Sequence, residues 1–494
     1  MFKKIKSFLF ENKTVRQTVA KNTFWAAFSN FGGKALKAII IIYGARVLGT
    51  AEYGVFSYAL TLAGFFTLFF DPGVNSMVMR EVPKATNEDG RLRILSTTLA
   101  VKLALIAGAV LIVLFVAPLF STLPGATALL PIVALIIALD TTREFLSSFI
   151  RANEKMEWET GIFLLTNLGI VIAGFLFLSY SRTALSFGWA YVAGTAFGAI
   201  TAITVLRKRL AHIFSYFSAR LIKPILTSAW PFAITGALGI LLTNTDILIV
   251  SWMRSASEVG IYSAVIRIIQ VLYIIPSIFQ LSTFPTLSRF VNTSSVKFRS
   301  ALERIVGLLF LASVPMAIGG AILGTQIMDL VFGTAYVSGG LALKILMITL
   351  IVDYPTVIIS TAIFAYDRQK SLIVASLIGG IMNVALDLIL IPPFGIAGSA
   401  FGTLLTQIVT NWYLWHVMKR INYFEVAPQL KKIITAGVVM GAMAVFLFFL
   451  SVNVVITIAV CAAFYFLILY RLHEPLLIEL KSILRGAIPK TSTS

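Results

Sequence analysis

Charge is scarce in this chain. Only 12% of its 494 residues are Asp, Glu, Lys or Arg, about half the share of a soluble domain, while 58% are hydrophobic and the mean hydropathy is +0.92. Water therefore does not solvate most of the folded surface, and lipid does. Cysteine is almost missing. Cys461 stands alone inside ITIAVCAAFYFLILY, which excludes an intramolecular disulfide and reads as a small apolar residue. The three histidines, His212, His416 and His473, lie far apart at helix ends, so there is no metal-ligand spacing and no metal or other cofactor is expected. No G-x-x-x-x-G-K-[ST] loop is present, so the chain does not hydrolyse ATP by a P-loop. Long hydrophilic loops are absent too, which leaves no room for a soluble catalytic domain. Acidic residues are few, 21 against 40 basic, for a net charge of +19. Such an excess suits nucleic acid when it gathers on one soluble face. Here it falls between apolar runs, as membrane topology requires, and no nucleic-acid partner is expected.

What is present is a series of apolar runs, each near the 20 residues that cross a bilayer. They predict spans at about 22–45, 52–72, 94–119, 127–149, 160–179 and 184–206. The second half adds 224–252, 258–286, 302–324, 340–365, 371–391 and 396–418, then 431–450 and 453–470. The run from Ile433 to Tyr470 would be about 57 Å long as one helix, against a hydrocarbon core of about 30 Å. It must turn back, most simply at Ser451-Val452-Asn453. The chain thus reads as an all-α integral membrane protein of about fourteen transmembrane helices. The tails and every second loop hold 32 Lys and Arg, and the opposite loops hold three, Arg46, Arg182 and Arg254. That asymmetry puts both termini in the cytoplasm of a multi-pass cell-membrane protein. The basic N-terminal segment, 1–21, places Phe2, Ile5, Phe8 and Leu9 on one helical face suited to the cytoplasmic leaflet.

An internal repeat organises the spans. Glu52-Tyr53-Gly54-Val55-Phe56-Ser57 and Glu258-Val259-Gly260-Ile261-Tyr262-Ser263 both read E-x-G-[VI]-[FY]-S, 206 residues apart. Phe187-Gly188-Trp189-Ala190 and Phe394-Gly395-Ile396-Ala397 both read F-G-x-A, 207 apart. Trp25 and Trp230 are 205 apart, and Asp140 and Asp353 are 213 apart. An offset of six helices keeps the orientation, so two six-helix lobes are expected, related by a pseudo-twofold axis along the membrane normal. The predicted divisions are 22–210 for the N-lobe, 211–420 for the C-lobe, 421–471 for two additional helices and 472–494 for a cytoplasmic tail.

The segment Arg46-Val47-Leu48-Gly49-Thr50-Ala51-Glu52-Tyr53-Gly54-Val55-Phe56-Ser57 resembles the A-R-x-L-G-x-x-x-Y-G-x-F-S stretch of the polysaccharide transporter family. Asp71-Pro72-Gly73 followed by Arg80-Glu81, Thr245 to Ile249, Phe332-Gly333 with Tyr336, and Asn383 through Gly395 to Ala400 continue the likeness over nearly the whole chain. The resemblance implies a two-lobe fold of twelve to fourteen helices shared with multidrug antiporters and peptidoglycan-precursor flippases. It implies export of oligosaccharide on a polyprenyl pyrophosphate carrier, by a transporter rather than an enzyme, with membrane lipids and the polysaccharide polymerase machinery as partners. In the motifs, glycine lets helices or turns close up, and Glu and Tyr lie at an interface.

An ionisable residue inside a span is costly and points to pairing or function. Lys34 and Lys37, three apart in the first span, share a face with Asn30. They either line a cationic cavity for pyrophosphate or pair with an acid such as Asp140 or Asp353. Asp246 and Arg267 lie on adjacent helices of a hairpin and form either an ion pair or a gate, with Arg267 suited to phosphate. Asp140, Asp246, Asp353 and Asp387, the last four residues from Asn383, are candidates for pairing, gating or ion coupling. Lys102 and Lys344 are expected to snorkel. Asp71 is expected to shape the end of its helix and bind nearby cations. A cation-coupled multidrug antiporter of the same fold is the alternative, though Lys34 and Lys37 oppose a cationic substrate. A membrane glycosyl polymerase would carry a long basic external loop, and the longest external connection, about Thr325 to Gly340, has no Lys or Arg. A charge crossing the membrane gains about 2.3 kcal/mol per 100 mV, so potential could drive an anionic head.

Overall fold

In the computed structural model every regular element among the described residues is a helix. The structure describes residues 10–11, 14–66, 73–85, 87–211 and 213–477, and the side chains of 15, 16, 27, 30, 214, 230–244, 428 and 429 are outside that description. The interfacial segment expected at Phe2–Leu9, together with Asp71, His212, the side chains of Asn30 and Trp230, and most of the 472–494 tail, falls outside the described residues.

The helices are α1 (Val15–Phe65), α2 (Val74–Glu81), α3 (Glu88–Phe115), α4 (Ala126–Ala152), α5 (Met156–Tyr180), α6 (Ala184–Leu210) and α7 (Ile222–Met253). Then come α8 (Ala256–Leu272), α9 (Ile274–Val291), α10 (Ser295–Phe332), α11 (Gly340–Ala365), α12 (Gln369–Ile421), α13 (Ala427–Phe449) and α14 (Val454–Arg471). Among the described residues, ten helices are long and apolar enough to cross a membrane, some of them much longer than one crossing. At about 1.5 Å per residue, the 51 residues of α1 and the 53 of α12 would each exceed twice the hydrocarbon thickness if straight. Neither is straight. Gly49 (φ 72°, ψ 177°) breaks α1, and Gly395 (φ 59°, ψ −143°) breaks α12. Both positions need a backbone that side-chain-bearing residues resist. Both glycines belong to the motifs singled out in the sequence. The expected reversal at 451–453 is also present. Ser451 takes a positive φ, and Asn453 caps α14 by accepting the Val455 N–H at 2.9 Å.

The chain forms two compact units, Met1–Ser263 and Ala264–Ser494. In the first, α1 packs along α5 and α6, and α4 packs on α6. The short α2 seats Val74, Met77 and Val78 in a buried cluster with Leu95, Phe145, Phe149 and Ile225. In the second, α10, α11 and α12 pack in sequence, and α13 lies on α10. Gly437 and Gly441 permit that last contact: a β-carbon there would stand 2.6 Å from Val314 and 2.8 Å from Ile318. The Tyr465 hydroxyl of α14 donates to the Leu311 carbonyl at 3.1 Å. The external connection expected at Thr325–Gly340 is shorter than the hydropathy suggests. The helix continues to Phe332, leaving a 3-10 turn from Thr334 to Gly339.

Candidate translocation-path residues

The repeated E-x-G motif is where α1 meets α8 in the first unit. A β-carbon on Gly54 would lie 1.8 Å from the Ala256 carbonyl oxygen and 2.8 Å from the Gly260 nitrogen. One on Gly260 would lie 2.0 Å from the Thr50 carbonyl oxygen and 2.9 Å from the Gly54 nitrogen. The contact is reciprocal, and each pair is offset by the 206 residues of the repeat. Thr50-x-x-x-Gly54 and Ala256-x-x-x-Gly260 are small-x-x-x-small faces whose backbones touch. Ser257 Oγ donates to Thr50 Oγ1 at 2.7 Å beside them. The same end of the unit is tied further. The Tyr58 hydroxyl donates to the Phe120 carbonyl at 3.0 Å and accepts the Thr122 N–H at 3.1 Å, and Thr122 Oγ1 donates to the Ser251 carbonyl at 3.2 Å. Glu52 accepts the Ala184 N–H at the start of α6 at 2.7 Å, a negative charge on a helix N-terminus. Phe56 packs against Phe187 of the F-G-x-A motif with tilted rings, centroids 4.6 Å apart.

The charges inside this unit form a chain along α4. Arg143 donates through Nε to Asp140 at 2.9 Å, and its Nη2 lies 2.8 Å from Asp140 and 3.4 Å from Glu144. Glu144 also takes Arg151, which reaches Glu159 of α5 at 3.3 Å. Arg143 is buried, its guanidinium 5.6 Å over the Phe163 ring, while the Asp140 side chain is 49% exposed. Arg143 lies inside the span expected at 127–149 but was not among the charges singled out from the sequence. Its place one helical turn after Asp140 was the available signal. Arg143 thus pairs with both Asp140 and Glu144, and Lys34 has no carboxylate within 4.0 Å among the described residues. Lys34 is half-buried and Lys37 exposed. Asp246 accepts the Tyr262 hydroxyl at 3.0 Å. Lys102 is a correction. It does not snorkel but is fully buried, with none of its surface exposed. Lys21, also buried, pairs with Glu157 at 2.8 Å.

The second unit holds its carboxylates differently. Asp353 on α11 is buried and accepts from the Tyr273 hydroxyl and from Asn411 Nδ2, the latter at 2.8 Å. The neighbouring Tyr354 hydroxyl donates to the Leu272 carbonyl at 2.6 Å. Asp387 on α12 is fully buried, and one turn earlier Asn383 Nδ2 meets Thr403 Oγ1 at 3.5 Å across the Gly395 break. Carboxylate, amide and hydroxyl oxygens are hard donors of the kind that take small cations or protons. Arg267 Nη1 donates to Gln270 Oε1 at 2.8 Å. No group of three or more His, Cys, Asp and Glu is gathered as a metal site among the described residues.

This is the architecture of a multi-pass membrane protein with polar groups held inside its helices. The backbone fold is that of a lipid II flippase in an inward closed conformation, to which the chain aligns with a TM-score of 0.73 and 18% identity over 92% of this chain and 99% of that one. An inward-facing multidrug transporter of the MOP superfamily aligns with a TM-score of 0.62 and 13% identity, over 84% of this chain and 97% of its own. In sequence, residues 19–291 match the polysaccharide biosynthesis protein family, and the chain belongs to that family. A curated relative from Haloferax volcanii, titled a probable low-salt glycan biosynthesis flippase, is 23% identical over 439 residues, 86% of this chain and 89% of the relative.

Proposed function

We propose that this protein is a flippase that carries a polyprenyl-pyrophosphate-linked oligosaccharide from the cytoplasmic to the outer leaflet by alternating access, for surface polysaccharide synthesis. In this reading the chain makes fourteen spans with both termini cytoplasmic. The N-lobe is 22–210 and the C-lobe 211–420, with two further helices in 421–471. Lys34, Lys37 and Arg267 take the anionic head. Asp140, Asp246, Asp353 and Asp387 pair, gate or couple an ion. The polymerase machinery takes the product.

The observation that supports this most is the reciprocal contact at Gly54 and Gly260. A contact made mainly of backbone, with few side chains to repack, can part and re-form as rigid helices move. The relatives' glycan and lipid II activities support the substrate class. The multidrug antiporter reading draws on the second fold likeness and on the buried Asp353 and Asp387. It would also require an acidic path, which the lysines of α1 oppose.

The test is flipping of a polyprenyl-pyrophosphate oligosaccharide in liposomes by Thr50→Cys/Ser257→Cys in a Cys461→Ser background. We expect oxidation to abolish flipping and reduction to restore it. Full flipping by the cross-linked protein would overturn the gate. No flipping by wild type across several carrier-linked oligosaccharides, together with drug resistance on expression, would favour the antiporter.

A further inference from the structure

The first unit carries a cavity whose lining includes none of the residues proposed above to take the anionic head. It has a volume of about 390 Å³ and lies where the start of α3 and the end of α4 meet the segment after α2. Arg91 and Arg151 line it with Asn153 and Glu154, and Met79 and Pro83 form an apolar wall. All of these residues lie at the end of the unit that carries the basic loops, level with the lipid headgroups in the proposed topology.

The charges here are not equivalent. Arg80 and Lys84 are tied to Glu81, at 2.8 and 3.0 Å. The Glu81 carboxyl is held below its ordinary value, first by the Lys84 hydrogen bond. Arg151 is compensated by Glu144 and Glu159. Arg91 is different. It has no carboxylate within 4.0 Å among the described residues. Its Nη1 reaches Asn153 Oδ1 only at 3.4 Å, and its Nε–H is buried with no acceptor. A half-buried guanidinium without a counter-ion is costly, and a phosphoryl oxygen is the acceptor that best fits its planar donors. Glu154, which also lines the cavity, disfavours a highly charged anion. Exposed Met79 on amphipathic α2 and neighbouring Pro83 offer an apolar rim where an acyl chain could lie.

From this arrangement we infer that Arg91 and Asn153 form a binding site for a singly charged phosphoryl group, supplied by the phosphodiester headgroup of a membrane lipid. A soluble phosphate is the other source of the same chemistry, and the experiment separates the two. The full-length protein is placed in nanodiscs of phosphatidylcholine with a minority of phosphatidylglycerol, and retained phosphatidylglycerol is counted by native mass spectrometry during delipidation. Wild type should keep one phosphatidylglycerol after the rest are lost. Arg91→Gln should lower that retention about tenfold, the worth of one charge-assisted hydrogen bond. Arg91→Lys, which keeps the charge, should recover part of it and guards against misfolding. Arg93→Gln, exposed on the same helix, should match wild type. Equal retention in wild type and Arg91→Gln would overturn the site, as would equal losses in Arg91→Gln and Arg93→Gln, which would mean surface charge alone. In a second arm, inorganic phosphate and pyrophosphate are added. Displacement of the retained lipid at millimolar concentration would overturn the lipid assignment and give the site to a soluble anion, and no displacement supports the lipid.

Discussion

Asp140 and Asp353 hold matched places 213 residues apart, and their surroundings are opposite. Asp140 is half exposed and ion-paired to Arg143, the first link in a chain of alternating charges that ends at Glu159. Asp353 is buried, and its hydrogen-bond donors are the neutral groups of Tyr273 and Asn411. The same division runs through the repeated motif. Glu52 reaches across to cap α6, while Glu258 turns back on Ser255, whose hydroxyl in turn accepts the Glu258 N–H at 3.3 Å. What stayed common between the copies is backbone geometry at glycine. The side-chain chemistry differs, with compensated charge around the first copy and neutral hydrogen bonding around the second.

The sharpest way to break this comparison is Arg143→Met. The substitution removes the buried guanidinium that holds half-exposed Asp140, while Glu144 keeps Arg151, and we expect a loss of about 1.5–3 kcal/mol in denaturant unfolding of the detergent-solubilised protein. An unchanged midpoint would mean that the chain along α4 contributes nothing and that the two copies are energetically alike. Gly54→Ala and Gly260→Ala come next. Each drives a methyl into a carbonyl oxygen, and by the usual cost of overpacking each should destabilise by about 1–3 kcal/mol, with loss of cross-linking between cysteines at 50 and 257. A large effect at one glycine only would show that the contact is not shared equally. Asn411→Ala removes a neutral donor from Asp353 and should cost about 1–2 kcal/mol, less than Arg143→Met. A cost as large as that of Arg143→Met would place Asp353 in a charged network after all. The smallest effects are expected at the glutamates. Glu52→Ala should cost about 1 kcal/mol through the lost cap on α6, and Glu258→Ala less because its bonds are local. Hydrogen exchange of the first turn of α6 would report the first and be silent for the second.

Much of this fold could be read from hydropathy, because a bilayer admits few backbone solutions. The reversal at 451–453 followed from length alone, and the breaks at Gly49 and Gly395 fell at motif glycines. Hydropathy was weakest where a charge lies near a helix end. Arg143 and Lys102 look like residues on their way to the headgroups, and only packing decides that both are buried. The carboxylates were legible as candidates, but their partners were not. Asp353 is met by Tyr273 and Asn411 from distant helices, and no spacing in the sequence brings those three together. The Gly54–Gly260 contact was half legible: the repeat was visible, but not that its two copies would touch each other.

That touching has a consequence for mutation. A contact in which residue i meets j and the equivalent of j meets the equivalent of i has the reciprocity of an isologous interface, although here one polypeptide carries both sides. In a dimer of identical chains, any mutation at this glycine would strike both sides of the interface together. In a single chain the two positions can be changed one at a time, and both are glycine, with Thr50 and Ala256 small beside them. Either side can therefore be altered alone to learn how much of the contact the other side carries.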